Sequence, residues 1–229
     1  MVRSKRTIDG KQIKLLIFDL DGTLIDSRQD LVKSVNATLR HFRRPELPAE
    51  IIATYVGDGA PMLMRRAFGD PKDEGFLLEA LEYFLSYYRI HKLDHTQVYP
   101  GIVEMLTTLR RGRNGSERHM AVLSNKPVNP ARQIVEALGL KRFFDQIYGG
   151  NSFSTKKPDP EGARKLMDEA AAHPQETVMV GDSSIDVLTG HNAGAWTCGV
   201  TYGFAPQTLQ TLPPDLLVDS PQELAEALG

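Results

Sequence analysis

Six short apolar runs, most of them followed by a stretch with helical spacing, limit most strongly how this chain can fold. The runs cover residues 14–18, 119–124, 146–148, 177–180, 196–201 and 216–218. Strands that are apolar at nearly every position are buried on both faces, as in a parallel sheet covered by helices. The alternation of such runs with helical patterns therefore predicts a doubly wound, Rossmann-like α/β fold.

The alternation fails between the first two runs, where the patterns are helical. These patterns cover residues 31–42, 49–56, 61–68 and 76–92. Ser27 and Asp30 match a capping box at the start of the first helix. The fourth pattern is apolar around most of its circumference, which is typical of the central helix of a bundle.

These patterns predict two structural units. Residues 27–98 are expected to form an all-helical cap domain, inserted into an α/β core domain made of residues 1–26 and 99–229. Residues 1–12 are polar and basic, and we expect them to be a tail. The basic stretch at residues 110–119 is expected to be a solvated loop rather than a binding patch.

Charge and cysteine content exclude several functional classes. The net charge of -2 provides no basic surface for nucleic acid or an anionic membrane. Cys198 is the only cysteine, so an intrachain disulfide or a thiolate metal cluster is excluded. No apolar run approaches the roughly 20 residues of a membrane span, and a signal-peptide core is missing. We expect a cytoplasmic monomer or weak dimer.

Acidic residues follow two of the predicted strands. Asp19 and Asp21 come after the first run, and Asp182 and Asp186 after the run at 177–180. The carboxyl ends of parallel strands meet at one edge, where ligands bind. Carboxylates gathered there would repel each other without a hard cation, and oxygen ligands suit Mg²⁺, so we expect a magnesium site.

The first acidic segment has two other possible interpretations. The residues DLDGT could be a polar turn with Gly22 at a position that needs unusual backbone angles. A calcium-binding loop needs its glycine at the sixth position and a helix before it, whereas Gly22 is fourth and a strand precedes it. The calcium-loop reading therefore fails.

Hydrogen-bond donors follow other predicted strands. Ser124 and Asn125 come after the second run, and Lys157 stands before a rigid Pro-x-Pro. Each would be unremarkable alone. Beside the aspartates, a hydroxyl and an ammonium group are the donors that an anionic tetrahedral group requires.

The segments FDLDGTLIDS, VLSNKP, KKPDP and GDSSID, in this order, resemble the four motifs of the haloacid dehalogenase-like phosphatases. The resemblance covers essentially the whole chain from Lys14, and the helical insertion resembles the helical cap of that superfamily. Within it, residues 55–69, YVGDGAPMLMRRAFG, are similar to the cap segment of phosphoglycolate phosphatases.

The resemblance implies a Mg²⁺-dependent phosphomonoester hydrolase that acts on a small phosphorylated metabolite, with phosphoglycolate as the first choice. A phosphosugar phosphatase or a β-phosphoglucomutase-like enzyme of the same superfamily is the alternative. A catalytically silent binding or regulatory protein is a third possibility, because a fold does not determine a function.

The resemblance also implies catalytic and metal-binding roles. Asp19 would be the nucleophile that forms an aspartyl-phosphate, and Asp21 the general acid and base. Mg²⁺ would be held by the carboxylates of Asp19 and Asp182 and the backbone carbonyl of Asp21. Asp186 would bind the metal through water or orient Lys157.

The remaining expected site residues bind the substrate. The phosphoryl oxygens would be held by Ser124, Asn125, Lys157, Gly22 and Thr23. In the cap, Gly57, Asp58 and Gly59 would bring backbone close to the substrate. Arg65 or Arg66 could bind a substrate carboxylate. Alternatively, the cap glycines only form a turn and the arginines are solvated.

Overall fold

The computed structural model describes residues 8–112 and 115–229. Its strands are β1 (Leu15–Phe18), β2 (Ile25–Asp26), β3 (Gln97–Val98), β4 (His119–Leu123), β5 (Gln146–Tyr148), β6 (Thr177–Gly181), β7 (Trp196–Val200) and β8 (Leu216–Val218). Its α-helices are α1 (Arg28–His41), α2 (Ala49–Ala53), α3 (Ala60–Ala67), α4 (Glu74–His91), α5 (Ile102–Arg110), α6 (Val128–Ala137), α7 (Glu161–Glu169), α8 (Ser184–Ala193) and α9 (Pro221–Leu228).

Six strands form one parallel sheet in the order β5-β4-β1-β6-β7-β8. All six predicted runs are strands of this sheet, with ends that differ by at most one residue. The strand β1 lies at the centre, between β4 and β6. In register, Phe18 of β1 stands beside Val122 of β4 and Val180 of β6. The residues that follow these three strands are therefore neighbours at the carboxyl edge.

Helices cover both faces of the sheet. Leu16 and Phe18 of β1 pack in one hydrophobic cluster with residues of α5, α6 and α9. Leu15 and Ile17, which point to the opposite face, pack in a second cluster with residues of α7 and α8. Burial on both faces explains why these strands are continuously apolar in the sequence. The predicted doubly wound α/β fold is confirmed.

The helices α1 to α4 pack around a third hydrophobic cluster above the carboxyl edge of the sheet, to which Phe204 of the core also contributes. Leu31 and Val35 of α1, Met64 of α3, and Phe84 and Tyr88 of α4 are all buried in it. The predicted inserted helical cap is confirmed, whereas its exact boundaries at residues 27 and 98 stay predictions. Within residues 8–112 and 115–229, no helix has both the length and the apolarity to cross a membrane.

A two-stranded antiparallel ribbon, β2 with β3, connects the core to the cap. The apolar pattern of the sequence does not predict this ribbon, because two-residue strands leave no apolar run. The chain leaves for the cap after β2 and returns through β3, so the ribbon keeps the two connections side by side.

The predicted capping box of α1 is wrong. The hydroxyl of Ser27 donates to the Asp21 carboxylate instead of capping the helix. The Asp30 carboxylate accepts from the backbone N–H of His95 at 3.0 Å and of Thr96 at 2.8 Å. Burial alone would raise the pKa of Asp30, but these hydrogen bonds outweigh it and lower the pKa. Asp30 thus fastens the start of α1 to the chain returning from the cap.

Residues of the expected tail and of the expected solvated loop contact each other in the interior of the protein. Gly10 is buried in a short 3-10 helix, so the tail prediction is wrong for residues 8–12; residues 1–7 lie outside the described part. Arg118 was expected in a solvated loop but is 1% exposed. Its guanidinium donates to the carbonyls of Gly10 and Leu228, both at 2.7 Å, and of Ile13 at 3.1 Å.

We expect Arg118→Met to lower the free energy of unfolding by about 3 kcal/mol or more. Methionine fills a similar volume but donates no hydrogen bond, and losing a charged donor to several buried carbonyls costs about 1–3 kcal/mol for each hydrogen bond. Urea denaturation measures the change. The control is Arg44→Met at an exposed position, which should stay within about 0.5 kcal/mol of the parent. Equal losses in both variants would contradict a structural role for Arg118.

Candidate active site

The carboxyl edge of the three central strands brings the predicted site residues together. Asp19 directly follows β1, Ser124 follows β4, and Asp182 follows β6. The backbone N–H of Asp19 still donates to the carbonyl of Val180 at 2.9 Å, so the sheet holds this residue in place. Lys157 reaches the same edge from the loop before α7.

Three buried carboxylates and one ammonium group form the centre of the site. Asp19, Asp182 and Asp186 each place one carboxylate oxygen within 4.8 Å of the others. The Nζ of Lys157 donates to Oδ1 of Asp19 at 2.7 Å and to Oδ1 of Asp186 at 2.6 Å. The cluster therefore has more negative charge than this lysine can neutralise.

The pKa values reflect this excess of negative charge. Burial, then the charges of Asp186 and Asp19, raise the pKa of Asp182 to about 8. Burial also raises the pKa of Asp19 to about 6, although Lys157 acts in the opposite direction. Burial would lower the pKa of Lys157, but Asp186 and Asp19 outweigh it and raise that pKa, so the ammonium stays charged.

The carboxylates fit a hard divalent cation. Oδ2 of Asp182 accepts from the backbone N–H of Phe204 at 2.6 Å, and its Oδ1 accepts no hydrogen bond from a described residue. Oδ2 of Asp19 likewise accepts no hydrogen bond from a described residue. Asp186 has neither oxygen open, because Oδ1 binds Lys157 and Oδ2 accepts from the hydroxyl of Ser183 at 2.7 Å. This geometry favours the expectation that Asp186 orients Lys157 over direct metal binding.

Asp21 makes an ion pair that the motifs did not predict. The Nζ of Lys126 donates to Oδ1 of Asp21 at 2.9 Å and to Oδ2 at 2.8 Å. Lys126 belongs to the segment VLSNKP, but no role was predicted for it. Its position directly after Ser124 and Asn125 could have indicated a role in the site, because consecutive residues beyond a strand end can lie at the same edge of the sheet. Together with the Ser27 hydroxyl, Lys126 fixes the orientation of the Asp21 carboxylate.

The side-chain amide of Asn125 links the cap to the core. Its Nδ2 donates to the carbonyl of Gly57 at 2.9 Å and to that of Lys157 at 3.0 Å, so both amide hydrogens are used. Phosphate binding by Asn125 stays a prediction, and in this structure it would have to use another group than this amide. Ser124 is buried and lines the same cavity as Asp19.

Gly22 and Thr23 form the turn after Asp21. Gly22 has φ +85°, and a Cβ at this position would lie 2.4 Å from Oδ2 of Asp182. Only glycine allows this close approach. The hydroxyl of Thr23 is buried and has no hydrogen-bond partner among the described residues. Phosphate binding by these two residues stays a prediction.

The predicted cap loop lies against the core. Gly57 and Gly59 line the cavity. The carbonyl of Asp58 accepts from Nζ of Lys156 at 2.6 Å, and its carboxylate pairs with Arg66, also at 2.6 Å. The loop is therefore held by backbone contacts, and the side chain of Asp58 is engaged within the cap.

The expectation that Arg65 binds a substrate carboxylate is wrong. Its guanidinium pairs with Glu74 at 2.6 Å and with Asp70 at 3.1 Å, on the cap surface. It does not line the cavity. Spacing along a helix did not reveal which face carries this arginine, because the segment contains two consecutive arginines.

A cavity of about 70 Å³ separates the core carboxylates from the cap. About 10–15 Å³ of such volume accommodates one water-sized group, so the cavity suits a small molecule. From the cap, α1 contributes Leu31 and α4 contributes Phe84, Leu85 and Tyr88. Burial raises the pKa of Tyr88 to about 12, so its hydroxyl keeps its proton at neutral pH.

A Rossmann-like core with this acidic, cap-covered centre defines a class of hydrolases. A sequence model of the family described as haloacid dehalogenase-like hydrolase matches residues 16–200. The chain belongs to this family, and the predicted family and enzyme class are confirmed.

Proteins related to this chain match most of its length in sequence and in structure. A protein of Chromobacterium violaceum named phosphoglycolate phosphatase is 38% identical over 222 residues, which cover 95% of this chain and 97% of that one. A Haemophilus influenzae protein of the same name is 34% identical over 84% of this chain and 88% of its own. The crystal structure of a predicted phosphoglycolate phosphatase from Haemophilus somnus superposes with a TM-score of 0.86 at 30% identity, covering 95% and 99% of the two chains.

We expect Mg²⁺ to raise the melting temperature more at about pH 8.5 than at about pH 5.5. The metal-free folded protein keeps a proton on Asp182 up to a pKa of about 8, whereas the unfolded chain releases it near 3.8. Between these values, the contribution of this carboxyl group to stability falls as pH rises. At high pH the metal displaces fewer protons and binds more tightly. Thermal melting with and without Mg²⁺ measures both gains.

Asp182→Asn should lose the Mg²⁺-dependent gain in melting temperature. The control Asp168→Asn removes an exposed carboxylate on α7 and should keep it. An undiminished gain in Asp182→Asn, or gains of equal size at the two pH values, would contradict a cation site at these carboxylates.

Proposed function

We propose that this chain is a Mg²⁺-dependent phosphomonoester hydrolase that acts on 2-phosphoglycolate through an aspartyl-phosphate intermediate. The observation that carries the proposal is the geometry of Asp19. Its carboxylate lies at the end of the central strand, with Oδ1 held by Lys157, no hydrogen bond to Oδ2 from a described residue, and one oxygen within 4.8 Å of an Asp182 carboxylate oxygen. The relatives named phosphoglycolate phosphatase support the choice of substrate.

The first step transfers the phosphoryl group to Asp19. Its free carboxylate oxygen attacks phosphorus in line, an O–P bond forms, and the bond from phosphorus to the ester oxygen breaks. Asp21 gives its proton to the departing ester oxygen, so that an alcohol leaves. Lys157 and the hydroxyl of Ser124 hold the phosphoryl oxygens while charge is redistributed.

The second step releases inorganic phosphate. Asp21, now ionised, takes a proton from a water molecule, whose oxygen attacks phosphorus. The bond between Asp19 and phosphorus breaks, and both residues return to their initial states. Because one carboxyl group serves first as acid and then as base, its orientation must stay fixed. Lys126 and Ser27 supply that orientation.

The carboxylates of Asp19 and Asp182 and the backbone carbonyl of Asp21 would hold Mg²⁺. When bound, the cation supplies positive charge that offsets the repulsion between a carboxylate nucleophile and a phosphate dianion. Asp186 keeps Lys157 in place next to Asp19. The apolar cap residues over the cavity exclude water from the first step.

We expect the purified protein with Mg²⁺ to hydrolyse 2-phosphoglycolate with a kcat/KM at least about tenfold above that for hexose phosphates and nucleotides. Phosphate release over a panel of esters measures this ratio. A chelator should stop turnover, and Asp19→Asn should abolish it because an amide is a poor nucleophile. A mutase would convert a hexose 1-phosphate to the 6-phosphate without releasing phosphate, and a silent protein would turn over no ester; either result would contradict the proposal.

Asp21→Asn tests the acid and base role separately. Nitrophenolate leaves without needing a proton, so the first step should survive with p-nitrophenyl phosphate, whereas the second step loses its base. We expect a burst of about one equivalent of nitrophenol, followed by a steady state that is roughly 10²–10⁴-fold slower than in the parent. With 2-phosphoglycolate, the first step should fail as well.

Stopped-flow absorbance detects the burst, and quenched samples report phosphate from 2-phosphoglycolate. Asp168→Asn is the matched control and should behave as the parent in both assays. If Asp21→Asn slowed the two substrates by the same factor without a burst, Asp21 would not be the acid and base.

A further inference from the structure

Lys126 is a buried ammonium group that the phosphoryl-transfer steps do not consume. It lies at the carboxyl end of β4, and its Nζ contacts both oxygens of Asp21, at 2.8 and 2.9 Å. In the proposed mechanism, Asp21 faces the oxygen of the leaving alcohol. Lys126 therefore contacts the carboxylate that faces the leaving group, whereas Lys157 contacts the nucleophile Asp19.

Tyr88 brings an unpaired hydroxyl to the same place from the cap. Its side chain is 3% exposed, and among the described residues its hydroxyl has no acceptor, because the neighbouring Lys126 ammonium can only donate to it. The Nζ of Lys126 lies 4.7 Å from the centre of the Tyr88 ring, and both side chains line the cavity. A buried donor without an acceptor is unfavourable unless a ligand supplies the acceptor.

The rest of the cavity wall limits what the leaving group can be. Among the described cap residues that line the cavity, Tyr88 has the only polar side chain; the others are glycine or apolar residues such as Leu31, Leu63 and Phe84. The hydroxyl groups of a sugar would lie unpaired against this wall. Among the described lining residues, Lys126 and Lys157 are the only basic ones; Lys157 bridges Asp19 and Asp186 beside the nucleophile, whereas Lys126 pairs with Asp21 beside the leaving group.

We propose that Lys126 and Tyr88 bind a carboxylate carried by the leaving alcohol, and thereby select phosphate monoesters of short 2-hydroxy acids. In such esters the carboxylate is one carbon away from the ester oxygen, which matches the position of Lys126 next to Asp21. The ammonium of Lys126 and the hydroxyl of Tyr88 each donate to one carboxylate oxygen. This inference rests on the proposed function, because it assigns the leaving-group side of the same site.

The test compares two substrates that differ only in this group. 2-Phosphoglycolate carries the carboxylate, and 2-hydroxyethyl phosphate has a hydroxymethyl group in its place. The parent should prefer 2-phosphoglycolate by about 10²-fold in kcat/KM, because two donors, one of them charged, meet a carboxylate. Tyr88→Phe should reduce this preference about tenfold, and Lys126→Met should abolish it.

The ratio of kcat/KM values is the readout because Lys126 also orients Asp21. Loss of that orientation slows both substrates, whereas loss of carboxylate binding slows only one. Lys126→Arg retains a positive charge and should recover part of the preference. The control Lys165→Met removes an exposed ammonium group on α7 and should leave the ratio unchanged.

Each outcome separates this inference from the proposed function. Equal losses for the two esters in Tyr88→Phe and in Lys126→Met would overturn the inference and leave phosphoglycolate hydrolysis standing. A parent enzyme that turns over neither ester would contradict the proposed function itself. Tyr88→Phe removes a single oxygen atom, and a melting curve like that of the parent would show that the ratio reports on binding rather than on folding.

Discussion

Repulsion among Asp19, Asp182 and Asp186 is the constraint on which the surrounding structure depends. The order of the central strands forces these carboxylates to one edge, where Lys157 neutralises only part of their charge. Close approach of backbone supplies further stabilisation, since the amides of Phe204 and Ala205 donate to Asp182. Such an approach needs residues without side chains: a Cβ on Gly22 or Gly203 would lie within 2.5 Å of an Asp182 atom. The glycine positions near the site therefore follow from the charge cluster.

The cap is attached to the same edge through the residues that follow β4. Asn125 donates to the carbonyl of Gly57, and the ammonium of Lys126 lies over the ring of Tyr88. Lys156 adds a bond to the carbonyl of Asp58, so cap and core share contacts next to the reacting groups. Displacing the cap would break these bonds and open the cavity to water. Cap closure and the arrangement of the catalytic groups are thus parts of one contact network.

The sequence predicts the parts of this structure that depend on local pattern. Strands buried on both faces leave continuous apolar runs, and acidic residues at their ends could be placed at one edge by the parallel topology. Pairings between distant segments leave no such pattern. Lys126 and Asp21 are 105 residues apart, and the carbonyls around Arg118 come from both ends of the chain. Arg65 shows another limit of prediction from sequence. Its ion pairs with nearby acidic residues on the cap surface replace the contact with a substrate carboxylate that the sequence predicted.

Two buried lysines determine where positive charge lies in the site. Burial would lower the pKa of each ammonium group, but neighbouring carboxylates outweigh it: Asp186 and Asp19 for Lys157, and Asp21 for Lys126. Both lysines therefore stay charged, one beside the nucleophile and one beside the acid and base. A substrate with anionic groups at both ends complements this arrangement, with its phosphate at Lys157 and its second anion at Lys126. An ester with a neutral tail would leave the second charge facing only Asp21, so the same ion pairs that position the two carboxylates also favour a doubly anionic substrate.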